Sequence, residues 1–83
     1  MKSIFITFRS ITLAQRGERV LKNAGIGCTL QRTPRWMEER GCGYSLRLRD
    51  GDVRRCLELL RQNGVAYSKV YAQTDQGMEE LAP

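Results

Sequence analysis

Histidine is missing altogether from this chain. Its absence removes the commonest general base, so a self-contained Ser-His or Cys-His hydrolase is excluded. It also removes a usual zinc ligand, and the cysteines that remain are too widely spaced for a metal site. Cys28, Cys42 and Cys56 are an odd set with no Cys-x-x-Cys pair, which argues against a disulfide framework and for a reducing compartment. Long apolar runs are lacking too, and none approaches the roughly 20 residues that span a bilayer. The short run Ile4-Phe5-Ile6-Thr7-Phe8 is ended by Arg9 without a small-residue cleavage pattern, so no secretion signal is expected. The expected location is cytoplasmic, with no membrane partner, no metal and no cofactor.

What is present fits one small soluble domain. Over 83 residues, 41% hydrophobic and 28% charged content is enough for a modest core and too much for a disordered chain. A net charge of +5 favours anionic partners in general. The basic residues are scattered, however, and nucleic acid is not an expected partner.

Ile4-Phe5-Ile6-Thr7-Phe8 is rich in β-formers and predicts a central strand with Ile4, Ile6 and Phe8 on one face. Ser10 is placed to cap a helix that runs to Ala24 and stops at Gly25. Leu13, Gly17, Val20, Leu21 and Ala24 form its stripe. Gly17 there costs about 1 kcal/mol of helix propensity, which a close helix–sheet approach would offset. A second strand is expected over 27–32, and Tyr44-Ser45-Leu46-Arg47-Leu48-Arg49 alternates as a third. Asp50-Gly51-Asp52 turns the chain into a second helix whose stripe is Val53, Cys56, Leu57 and Leu60. A last strand is expected over 66–72, and 73–83 reads as a polar, flexible tail.

The order β-α-β-β-α-β predicts an α+β, ferredoxin-like split β-α-β domain over 1–72, with two helices on one face of a four-stranded antiparallel sheet. With the usual strand order 4-1-3-2, the third strand begins where the first one ends. The stretch 33–43 between strands two and three has no clear period. It opens with the rigid step Thr33-Pro34-Arg35 and closes on Cys42 between Gly41 and Gly43. That layout brings Cys42 near Arg9, Ser10 and the start of the first helix, whose unpaired N–H groups favour negative charge. Arg9, Arg35 and Arg40 add positive charge, and all these terms push the thiol towards the nucleophilic thiolate. Cys28 is expected about 13 Å away along strand two, beyond disulfide reach, so Cys42 would act alone.

Thr33-Pro34-Arg35, a short gap, Cys42-Gly43 and the alternating strand through Leu46 together resemble the signature of the selenium/sulfur carrier-like family of small bacterial proteins. Phe8-Arg9-Ser10, Gly25-Ile26, the helix from Val53 to Leu60 and Gly64-Val65 share the resemblance, which covers about residues 3 to 72. It implies a carrier or accessory protein that holds sulfur or selenium on Cys42 as a persulfide or selenopersulfide. Its partners would be sulfur or selenium donor and acceptor proteins. Thr33, Pro34, Arg35, Gly41, Gly43, Arg9 and Ser10 would support the carrier thiol. The chain departs from the family where small residues are usual, placing Trp36-Met37-Glu38-Glu39-Arg40 in the gap. Glu38 and Glu39 oppose thiolate formation wherever they lie close to Cys42.

The alternative is a non-enzymatic binding module that uses the open sheet face. Phe5, Thr7, Arg47 and Arg49 alternate away from the helices, and Tyr67, Lys69 and Tyr71 are expected to join them. Such a face serves homodimerisation or single-stranded RNA. The glycine and paired aromatics of an RNA-binding strand are missing from strand three.

Overall fold

A computed structural model of the chain describes residues 3–33, 43–49, 53–74 and 77–81. The elements are β1 (Ser3–Phe8), α1 (Ile11–Asn23), β2 (Cys28–Arg32), β3 (Tyr44–Arg49), α2 (Val53–Gln62), β4 (Val70–Thr74) and β5 (Gly77–Leu81). Alternation along β1 sends Ile4, Ile6 and Phe8 to the face that both helices cover. Those three are buried with Leu46 and Leu48 of β3, Val70 and Ala72 of β4, Ala14 and Leu21 of α1, and Cys56 and Leu60 of α2. One core between sheet and helices results. Cys56 is a small core residue there, as its helical spacing predicts.

The strands form one antiparallel sheet in the order β2-β3-β1-β4-β5. The chain is thus α+β, but the sheet has five strands, which departs from the four-stranded ferredoxin-like layout expected. The addition is β5, within the stretch read as a tail. Each of its residues pairs with β4, from Val70↔Leu81 to Thr74↔Gly77, and Lys69 Nζ meets Glu80 Oε1 at 3.3 Å. Gly77-Met78-Glu79-Glu80-Leu81 has no apolar alternation, so pairing with β4 rather than local propensity makes it a strand.

β4 also starts later than expected, at Val70. Thr7 explains the shift. Its N–H donates to Lys69 O at 2.9 Å, its carbonyl accepts from Ser68 N at 2.8 Å, and its Oγ1 accepts from Lys69 N at 3.0 Å. Two residues therefore oppose one, the geometry of a β-bulge, and regular pairing begins only beyond it.

Ser10 caps α1 as expected, its Oγ accepting from Leu13 N at 3.2 Å, and Gly25 ends the helix at φ +80°. Gly17 is buried where α1 crosses the sheet. A Cβ built there would lie 3.0 Å from Phe8 Cζ and 3.3 Å from both Leu46 Cδ1 and Leu60 Cδ2. The glycine is what lets the helix come so near.

Candidate functional site

The sheet register assembles one end of the molecule. Phe8 pairs with Tyr44, and Tyr44 pairs with Arg32, so the ends of β1 and β2 flank the start of β3. One position further on, Thr33 N donates to Gly43 O at 3.0 Å. Arg9 follows Phe8 on the other side of Gly43, and Ser10 then opens α1. Thr33, Gly43, Arg9 and Ser10 are thereby brought to one rim. Pro34, Arg35, Gly41 and Cys42 lie outside the described residues.

Three features bring positive charge to the rim. Arg9 is exposed at the end of β1. The first turn of α1 carries no acidic side chain, so no carboxylate of that turn offsets the positive end of the helix. Arg32 lies across the Tyr44 ring, with Cζ 5.6 Å from its centroid. Its stem covers an aromatic edge while its charge stays at the same end of the sheet.

Two hydroxyls here have no partner among the described residues. Thr33 is 6% exposed and Ser45 is fully buried, and neither Thr33 Oγ1 nor Ser45 Oγ has a hydrogen bond. A buried hydroxyl without a partner costs about 1–3 kcal/mol. Both lie on the sheet face away from the helices, Ser45 opposite Gln31 and Thr33 next to Gly43. Thr33 stands out in the sequence by its place before Pro34, whereas Ser45 carries no such mark. Alternation sends Ser45 to the outer face, and only tertiary packing makes that position dry. Ile11 also lies here, 42% exposed at the first residue of α1 and the one large hydrophobic side chain so exposed among the described residues. Its position off the apolar stripe of α1 is a signal that the sequence carries.

Cys28 is a different kind of cysteine. It faces the helices at the start of β2, half-buried, and its Sγ donates to Glu18 O at 3.9 Å. Burial, followed by the Glu18 carboxylate, pushes its thiol above the ordinary value of 9.0. It is held protonated and is a poor nucleophile at neutral pH. Among the described residues, no three His, Cys, Asp or Glu side chains gather as a metal site would require. No described helix is long and apolar enough to cross a membrane.

The aromatic residues expected on the outer face divide between the helix side and that face. Phe5 points that way but is only 6% exposed, beneath Arg47, whose Cζ is 6.0 Å from the ring centroid. Thr7 is buried as well, its hydroxyl spent on the Lys69 backbone. Tyr67 sits instead beside α2, with Arg54, Leu57, Glu58 and Arg61. Tyr71, opposite Phe5 in the β1–β4 register, stays on the outer face and is half-buried there.

Comparison with known proteins gives one positive result. No curated protein matches the chain, and no solved structure does. A family model described as "Putative Se/S carrier protein-like" matches residues 3–72, which span everything from β1 into β4. With 70 of the 83 residues inside that match, the chain belongs to the Se/S carrier protein-like family.

Proposed function

We propose that this protein carries a sulfur or selenium atom on Cys42, as a persulfide or selenopersulfide passed between a donor and an acceptor protein. The observation that carries the reading is the rim where Thr33, Gly43 and Arg9 line up against the start of α1. Cys42 is the residue before Gly43. A thiolate held at such a rim gains from the helix N-terminus and from Arg9, each worth roughly 0.3–1 kcal/mol at a solvated site. The unspent Thr33 hydroxyl is one further donor for a negative sulfur, and charge-assisted hydrogen bonds of that kind are the stronger sort.

The transfer needs no redox partner. The Cys42 thiolate attacks the outer sulfur of a donor persulfide, R–S–SH. A new S–S bond forms on Cys42 as the donor's S–S bond breaks, and the donor leaves as R–S⁻. The same exchange, with an acceptor thiolate attacking, unloads the carrier. Pro34, Arg35 and Gly41 are the loop residues proposed to shape and charge the surroundings of Cys42.

Intact-mass measurement after incubation with a small persulfide donor tests the reading. One added sulfur is expected on the wild-type protein, removable by a thiol reductant, and none on Cys42→Ser. No addition to the wild type, or equal addition to both, refutes it.

A further inference from the structure

We infer that the free edge of β2 is a self-association surface, through which two copies pair β2 with β2 about a two-fold axis into one continuous antiparallel sheet. The inference stands apart from the carrier chemistry and rests on hydrogen-bond direction. Thr33 N donates inward to Gly43 O of the β3 side. Antiparallel alternation then turns the polar groups of Gln31 and Thr29 to β3 as well, and turns those of Cys28, Leu30 and Arg32 outward. Among the described residues, β2 is the last strand on its side of the sheet. Its edge therefore presents three N–H and three C=O groups, with no proline, lysine or bulge to guard them.

A two-fold centred on Leu30 uses all of them. Leu30 faces its own copy, Cys28 faces Arg32 of the other chain, and all three facing pairs are of the hydrogen-bonded kind. Between them Thr29 stands opposite Gln31, so no like charges meet. Leu30 is half-buried against the core, and the facing leucine would complete its burial.

The opposite edge is unsuited to the same use. The β4 ladder leaves only Met78 and Glu80 of β5 pointing outward, and the two-fold that uses both sets Glu79 against its own copy. A head-to-tail joint of β2 with β5 fares no better. Both strands run parallel to β1, so side-by-side copies would meet in parallel, the weaker pairing, in a sheet that is otherwise wholly antiparallel.

Sedimentation velocity of the full-length protein over a wide concentration range reads the association. A monomer–dimer equilibrium is expected, because an edge contact of one short strand is small. Amide exchange should slow at Leu30 and Arg32 as concentration rises and stay unchanged along β5. The double variant Thr29→Lys, Gln31→Lys sets lysine against lysine across the two-fold. It alters only outer-face positions of an edge strand, and it should be monomeric throughout with unaltered circular dichroism. Should it misfold, the double variant Thr29→Glu, Gln31→Glu sets carboxylate against carboxylate across the same two-fold and must likewise weaken dimerisation. A monomeric wild type, a dimer indifferent to these variants, an assembly larger than two, or protection on β5 each overturns the inference.

Discussion

Replacing Gly17 by alanine sets two effects of known size against each other. Alanine is the better helix former by about 1 kcal/mol, so propensity alone predicts a gain. The added methyl, however, would lie 3.0 Å from Phe8 Cζ and 3.3 Å from Leu46 Cδ1 and Leu60 Cδ2. All three side chains are 0% exposed, so none can swing into solvent to make room. Extra methylenes in a packed core cost about 1–3 kcal/mol. Packing should win by about 1 kcal/mol net, which for a domain of this size lowers Tm by roughly 4–8 °C. Urea titration followed by far-ultraviolet circular dichroism measures the change directly. Phe8→Leu removes the ring atom nearest the new methyl. Gly17→Ala together with Phe8→Leu should therefore lose less than the sum of the single losses, by about 0.5 kcal/mol or more. A stabilised Gly17→Ala, or strict additivity in the pair, would refute the account of how α1 sits on the sheet.

The two unpartnered hydroxyls separate structure from chemistry. Ser45→Ala deletes a buried hydroxyl with no hydrogen bond among the described residues, and urea titration should show unchanged stability or a gain of about 1 kcal/mol. Thr33→Val should likewise leave stability intact, yet slow alkylation of Cys42 at neutral pH if that hydroxyl supports a thiolate. Equal Cys42 reactivity in Thr33→Val and wild type would remove Thr33 from the site. The Cys28 thiol is held above its ordinary value of 9.0 by burial and by Glu18, so at and below neutral pH it contributes no pH dependence. As pH climbs past 9.0 the unfolded chain loses that proton first, and stability falls until the raised folded value is passed. Cys28→Ala should flatten this part of the stability profile. An identical alkaline decline in that variant would show that another group is responsible.

Local patterns in the sequence determined much of this protein. A two-residue period marked β1 and β3, and a helical period bounded by Ser10 and Gly25 marked α1. The β-α-β-β-α order was enough to bring Gly43 to the end of β1, because antiparallel pairing leaves the chain few other routes. Thr33, Arg9 and Ser10 could be gathered on paper for that reason. What only the tertiary structure decided has no local signature. β5 exists because β4 offers it a ladder, and the bulge at Ser68 and Lys69 exists because Thr7 shares four hydrogen bonds with them. Phe5, Thr7 and Ser45 alternate outward like any solvent-facing residues and are nonetheless buried. Alternation fixes the side of a sheet on which a residue stands. Whether that side is wet depends on neighbours such as Arg47 that arrive from distant parts of the chain.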